Sequence, residues 1–311
     1  MSDRVGVVNS AAFARPSGSW LRRMLDRPNV LGILLAAPAV LILLLLLAYP
    51  LCLGIWLSLT NAVLGTPGHF IGFGNYAILF HDPVYQEAVF YAFFYTICSE
   101  ALKLSFGLGL AILLNRQFRG YRVARAIMLL PWVAPTVLSA LAWNWLLNPQ
   151  FSAVSWLLIK LGLTHSYIDF LGQAWPARIS LIVVNVWRGI PYYAMGYLAG
   201  LQAIPKDLIE AASIDGATRI TIFRRIIWPL LWPVTTILLS FSTIWTVTDF
   251  QLIWTMTRGG PLNATQVFTT LAYQRAINGG SLGQGAAVAI SVIPIMLILA
   301  IIALRSTREG R

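Results

Sequence analysis

Charge is scarce in this chain: Asp, Glu, Lys and Arg together make up 11% of its 311 residues, against roughly 25% in a soluble domain. That shortage excludes a secreted domain, a cytosolic enzyme and a disordered tail, all of which need a solvated surface. Cysteine is scarcer still. Cys52 and Cys98 both fall in apolar segments, which excludes a disulfide framework and a thiolate metal site. The three histidines, His69, His81 and His165, sit in connecting loops far apart in sequence, so neither a catalytic trio nor a metal site is expected. The chain also lacks G-x-x-x-x-G-K-[ST], H-E-x-x-H, C-x-x-C and G-x-S-x-G. It is therefore expected to hold no P-loop nucleotide and to be no enzyme. No short tripartite leader is read at its start, because the first apolar run is too long for a cleaved one.

What is abundant is apolar surface: 58% hydrophobic residues with 12 Trp and a mean hydropathy of +0.73. A spanning helix needs about 20 apolar residues, and six segments qualify, at about 30–59, 88–115, 126–147, 177–202, 229–256 and 285–304. The net charge of +11 is scattered between these segments rather than gathered on one stripe, which argues against a nucleic-acid partner. Sixteen Lys and Arg fall in the N-terminal tail, at 116–125, at 206–225 and after 304, against Lys160, Arg258 and Arg275 on the other side, with Arg178 at a boundary. The positive-inside rule then puts both termini in the cytoplasm. The expected fold is an all-α membrane protein with six transmembrane helices, N-in and C-in. It divides into a cytoplasmic tail at 1–29, a transmembrane domain at 30–304 and a short cytoplasmic tail at 305–311. The stretch 19–25 reads either as a helix lying on the inner leaflet or as part of a disordered basic tail. The outer connection near 154–163 is too short to span and reads as an interfacial helix.

The most informative stretch lies at about 204–228, on the cytoplasmic side. Pro205 suits a helix start and Asp207 complements the positive end of its dipole. Glu210-Ala211-Ala212 leaves a low face, Asp215-Gly216-Ala217 supplies a turn, and Phe223, Ile226 and Ile227 lead back to the membrane. A helix–Gly–helix hairpin between two apolar segments is expected to dock another protein.

Glu-Ala-Ala-x-x-Asp-Gly-Ala, followed by Phe223 and by Ile226-Ile227-Trp228-Pro229, resembles the EAA loop of binding-protein-dependent ABC importer permeases. The resemblance extends to Phe73-Gly74-Asn75-Tyr76, Leu130-Pro131-Trp132-Val133-Ala134-Pro135, Gly200-Leu201-Gln202-Ala203-Ile204-Pro205 and Thr257-Arg258-Gly259-Gly260-Pro261. These resemble the carbohydrate-uptake subfamily, and within it the maltose- or glycerol-phosphate-type first permease. Trp228 departs from the pattern, which usually has Leu before the proline. The resemblance implies a type I ABC importer permease fold in a bacterial plasma (inner) membrane. It also implies a second permease subunit, an ABC ATPase dimer docking on the EAA loop, and an extracytoplasmic solute-binding protein that delivers a sugar or polyol. ATP and magnesium then belong to the partner ATPase, and this chain binds no cofactor. Glu210, Ala211, Ala212, Asp215, Gly216 and Ala217 become the coupling residues.

The resemblance also implies a midplane pathway at Trp132 and Thr136, at Gly189 and Tyr192, and at Trp245, Thr246 and Asp249. Aromatic rings suit sugar ring faces, and Thr246 and Asp249 suit hydroxyls. Arg188 joins them as a charge deep in an apolar segment. Arg188 and Asp249 read either as an interhelical ion pair or as solute contacts, with Asp249 accepting sugar hydroxyls. Glu100 and Lys103, three apart on one helical face, read as a structural pair. Gly196-x-x-x-Gly200 admits a closely packed helix, from a partner or from this chain. An ion-coupled secondary transporter is the alternative, and it leaves the EAA loop unexplained.

Overall fold

The computed structural model describes residues 28–116 and 118–309; the amphipathic stretch expected at 19–25 lies outside them. The described residues divide into two units, with the boundary between Leu53 and Gly54. The described residues are helical, with two isolated β-bridges, Thr60 with Phe70 and Val63 with Thr66. The first helix, α1 (Val30–Ser58), contains no charged residue, and Leu34, Leu35, Leu41, Leu46 and Leu47 on it are all exposed. Continuous apolar surface of this kind belongs against lipid or another chain.

In the second unit, α2 (Gly74–His81) is followed by α3 (Pro83–Leu114), 32 residues long. Asp82 starts α3 by accepting from Val84 N at 2.9 Å, with Pro83 at the first helical position. Next come α4 (Tyr121–Val133), α5 (Thr136–Leu146), α6 (Ala153–Lys160) and the 30-residue α7 (Ala174–Ala203). After α8 (Lys206–Ile214), one helix, α9, runs from Arg219 to Val247. The remainder is α10 (Gln251–Met256), α11 (Phe268–Tyr273), α12 (Leu282–Ser291) and α13 (Ile293–Glu309).

α7 packs along α3 and α9, and α9 also packs on α13. Glycines set the closest approaches. A Cβ on Gly107 of α3 would fall 2.4 Å from Tyr193 Cβ on α7, and Cβ atoms on Gly196 and Gly200 would strike Leu238 and Leu231 of α9. The Gly196–Gly200 notch is thus filled from within this chain. Two apolar cores result. One gathers Tyr91, Tyr95, Leu181, Val184, Val247, Leu252 and Phe268. The other gathers Ala111, Tyr193, Tyr197, Leu231 and Leu238. Along α3 they are separated by Thr96, Ser99, Glu100 and Lys103, all buried.

The six-span scheme needs correction. Among the described residues four helices are long and apolar enough to cross a membrane: Val30–Ser58, Pro83–Leu114, Arg219–Val247 and Leu282–Ile302. A fifth is reached only if α4 and α5, bent by 93° to each other, count as one span. The bend falls where Ala134 and Pro135 leave helical geometry between Val133 and Thr136, as the residue before a proline is driven to do. The expected segment at 177–202 is helical throughout. However, α7 carries Arg178, Asn185 and Arg188, and these polar residues lower its hydropathy. The expected segment at 229–256 is interrupted at 248–250, and its helix begins earlier, at Arg219.

The glycines of α3 give a matched test. Gly109→Ala meets nothing within 4 Å and is expected to stabilise the helix by roughly 0.5–1 kcal/mol. Gly107→Ala meets Tyr193 and is expected to cost about 1–3 kcal/mol. Thermal unfolding in detergent should shift in opposite directions for the two variants; equal shifts would remove the close approach of α3 and α7.

Candidate functional site

The polar residues between the two cores converge. Lys103 Nζ donates to Glu100 Oε1 at 2.6 Å, to Thr246 Oγ1 at 2.8 Å and to Ser242 Oγ at 3.0 Å. Glu100 Oε1 also accepts from Thr246 at 2.7 Å and Ser242 at 3.0 Å, and its Oε2 accepts from Tyr193 Oη at 2.6 Å. Glu100 and Lys103 are therefore an ion pair, as their spacing predicts, buried and held by α7 and α9. A charge in an apolar interior is tolerated when paired and fully hydrogen-bonded. Gly189 makes room for the pair, because a Cβ there would fall 2.3 Å from Lys103 Cδ.

Beside this cluster lies a cavity of about 40 Å³ lined by Lys103, Trp132, Asn185, Arg188, Gly189, Tyr192, Ser242, Trp245, Thr246 and Asp249. Roughly 10–15 Å³ of such volume holds one water, whereas ligand pockets run to about 300–1,000 Å³. As it stands, the cavity accommodates water and not a sugar. Three rings form part of its wall. Trp132 stacks on Tyr192 with centroids 5.3 Å apart and planes 17° apart, and Trp245 lies 5.2 Å from Tyr192 and 5.7 Å from Trp132. A second, open cavity of about 360 Å³ shares Trp132 and Tyr192 and is otherwise lined by Leu129, Pro191, Met195, Gly196 and Leu238.

Of the residues expected in a pathway, Trp132, Arg188, Gly189, Tyr192, Trp245, Thr246 and Asp249 meet at the smaller cavity. Thr136, the first residue of α5, is not in its wall. Asp249 sits at the break between α9 and α10 rather than inside a helix. Its Oδ2 accepts from Asn185 Nδ2 at 3.1 Å and Tyr95 Oη at 3.2 Å, and its Oδ1 from Leu252 N at 3.3 Å. All three donors are neutral groups. The described ion pairs are Glu100–Lys103, Glu87–Arg178 and Asp82–Arg275, so the Arg188–Asp249 pair is not formed. Arg188 Nη1 and Asn185 Oδ1 are instead buried without a hydrogen-bond partner among the described residues.

Sequence reasoning missed Asn185, Lys103 and Ser242 as cavity residues. Helical spacing held a signal for two of them: Asn185 precedes Gly189 by four, and Ser242 precedes Thr246 by four, which places each pair on one helix face.

At 204–228 the first helix of the expected hairpin forms, whereas in place of a second short helix the chain enters the 29-residue α9 at Arg219. Pro205 precedes α8, and Asp207 lies in its first turn. Gly216 has φ +81°. Its N–H donates to Ser213 O at 3.1 Å, and Ala217 N–H donates to Ala212 O at 3.0 Å. This double bond pattern closes a helix with glycine in the left-handed region. Glu210, Ala211, Asp215 and Gly216 are exposed, with Ala212 and Ala217 half-buried. Leu208, Ile214 and Ile220 also stand exposed. Trp228, the departure from the usual Leu, lies between Phe223 and Trp232, at centroid distances of 6.3 and 6.0 Å. Among the described residues no three metal-ligating side chains come together.

The Gly189 clearance is open to direct test. Gly189→Ala is expected to push the Lys103 stem from its slot at a cost of about 1–3 kcal/mol, read as a lower unfolding temperature in detergent. A parental melting curve would mean that Lys103 does not cross the face of α7 at Gly189.

Comparison with known proteins bears on the whole arrangement. The sequence model of the family described as "Binding-protein-dependent transport system inner membrane component" matches residues 103–308. The trehalose/maltose transport system permease protein MalF of Thermococcus litoralis is 34% identical over 286 residues, 92% of this chain and 96% of that protein. The sulfoquinovosyl glycerol transport system permease protein SmoG of Agrobacterium fabrum is 32% identical, covering 93% of this chain and 94% of its own. The sn-glycerol-3-phosphate transport system permease protein UgpA of Escherichia coli is 30% identical, covering 93% and 97%. The fold is similar to a chain in the crystal structure of a bacterial ABC transporter that imports the acidic polysaccharide alginate. The TM-score is 0.76 at 24% identity, with 94% of this chain and 98% of that one covered. A hairpin exposing Glu210 and Ala211 beside a glycine turn, a family match over residues 103–308 and a relative 34% identical over 92% of the chain lead to one conclusion: this chain belongs to the inner-membrane permease components of binding-protein-dependent ABC importers.

Proposed function

We propose that this permease carries a sugar or related polyol through the membrane, past the wall formed by Trp132, Tyr192 and Trp245, in an ATP-driven importer. The observation that carries the reading is the cavity itself: three rings beside Arg188, Asn185, Thr246 and Asp249. Rings cover the apolar faces of a sugar, and the polar groups exchange hydrogen bonds with its hydroxyls. Three relatives named for trehalose/maltose, sulfoquinovosyl glycerol and sn-glycerol-3-phosphate transport have polyhydroxylated solutes in common. The larger cavity lies further along α7, towards the 204–228 hairpin, so solute leaving the polar cavity passes the Trp132–Tyr192 stack into it. Thr136, just beyond the bend, joins the pathway only if α4 and α5 move.

Membership in the family implies a second permease, an ATPase and a solute-binding protein as working partners. In the arrangement proposed here, the 204–228 hairpin faces the cytoplasm of a bacterium and docks an ATPase dimer. The contact runs through Glu210, Ala211, Ala212, Asp215, Gly216 and Ala217, with Leu208, Ile214 and Ile220 as apolar contacts. An extracytoplasmic binding protein delivers the solute on the opposite side. Residues 30–304 form the bilayer-embedded body.

Uptake of a panel of labelled sugars and polyols by the assembled complex in proteoliposomes tests the function. It should require both ATP and the binding protein; uptake driven by an ion gradient without ATP would overturn the reading. In the same assay Tyr192→Ala is expected to raise KM roughly three- to tenfold, the scale of one aromatic contact.

The hairpin has its own test. Gly216→Leu places a branched side chain where φ is +81°, at a cost of roughly 1 kcal/mol or more. The chain should still insert, while transport and stimulated ATP hydrolysis fall together. Parental hydrolysis in that variant would separate the hairpin from coupling.

A further inference from the structure

We propose that the buried Glu100–Lys103 pair determines solute specificity by withholding hydroxyl groups from the pathway; this rests on the small cavity being part of that pathway. The three donors of the Lys103 ammonium go to Glu100, Ser242 and Thr246, at 2.6, 3.0 and 2.8 Å. Both hydroxyls therefore accept from Lys103 and also lie within 3.0 Å of Glu100 Oε1. A hydroxyl has one proton and two lone pairs. The Ser242 proton turns to Glu100, the Thr246 proton to Glu100 or to Ser242 O at 2.8 Å, and each hydroxyl gives a lone pair to Lys103, so both have little left to offer a solute. Both nonetheless line the cavity, as does Lys103.

Glu100 is occupied in the same way, through Tyr193, Lys103 and the two hydroxyls. The wall therefore holds several polar side chains but presents few free polar atoms. Arg188 Nη1 remains as a donor and Asn185 Oδ1 as an acceptor, three residues apart on α7. Lys103 and Glu100 are 2% and 5% exposed, so these bonds are shielded from bulk solvent. Gly189 completes the device, since only a residue without Cβ lets the Lys103 stem cross α7 to reach α9. Removing the pair would free the lone pair that each hydroxyl gives to Lys103 and alter which solute hydroxyls find a partner.

The test is the double variant Glu100→Gln/Lys103→Met, which removes both charges together and so leaves no buried charge unpaired. In the assembled complex, KM for the transported solute is expected to shift about three- to tenfold, the scale of one hydrogen bond gained or lost. The ranking of deoxy and epimeric sugars should also change. If the pair is only a strut, accumulation or maximal rate falls while KM and ranking stay parental, which overturns the proposal. Should the double variant fail to assemble, Gly189→Ala displaces Lys103 while keeping both charges. A KM shift in it supports the proposal, and a parental KM overturns it. Tyr192→Ala in the same assay keeps the two levels apart. If its KM is also parental, the pathway reading itself has failed; if only the pair variants are parental, the withholding has failed.

Discussion

A pair of opposite charges in the middle of a long apolar helix constrains everything around it. Glu100 and Lys103 lie on α3 between two apolar cores, where an unpaired charge would cost several kcal/mol. Their own bond meets only part of the need. Lys103 has two more donors, and Glu100 more lone pairs, than the pair itself consumes. Tyr193 on α7 and Ser242 and Thr246 on α9 supply the remainder. One helical register satisfies them all, and in it α3, α7 and α9 are fixed along their lengths as well as side by side. The glycine contacts at Gly107 and Gly189 follow from the same register, since helices held this close leave no space for a Cβ at either point.

Much of this architecture is legible in the sequence, but unevenly. Apolar runs identify Pro83–Leu114 and Leu282–Ile302 within a few residues, because length and hydropathy alone decide those. The same criterion misjudges the stretch at 229–256. Its hydropathy is continuous across Thr248 and Asp249 while its backbone is not, because Asp249 turns back to accept from Leu252 N and caps the next helix. It also misjudges the segment containing Pro131 and Pro135, where the backbone turns by 93° with no loss of apolar character. For α7 the criterion finds the helix but overrates its apolar character: the 30-residue helix packs on α3 and α9, yet it is not among the described helices apolar enough to cross a membrane.

The candidate site divides along a similar line. Trp132, Tyr192 and Trp245 are placed by resemblance, and the structure brings their rings within 5.7 Å of one another. Lys103 read as structural because its partner is three residues away; its other two partners lie 139 and 143 residues on, a distance no local pattern crosses. The ion pair entertained between Arg188 and Asp249 matched two charges by depth alone. Depth omits the neutral donors Tyr95 and Asn185, which occupy the Asp249 carboxylate first. Neutral partners of buried charges are the part of such a site that sequence conceals, since any Tyr, Asn, Ser or Thr of the right depth qualifies.

The continuity of α9 links the two halves of the proposed mechanism. It begins at Arg219, three residues after the Gly216 turn, and ends at Val247, one residue past Thr246. At 1.5 Å per residue it is about 43 Å long. A helix of that length carries a displacement of its base to its far end unless it bends. Its irregular section, the Phe223–Ile227 π turn followed by Pro229 and Pro233, is confined to the half nearer the hairpin. The regular half carries Ser242 and Thr246, the residues bonded to Lys103. Motion imposed on the hairpin would then reach the cavity as a pull on those two hydroxyls, and the hydrogen bonds that fix the helices in register would be among the first to feel it.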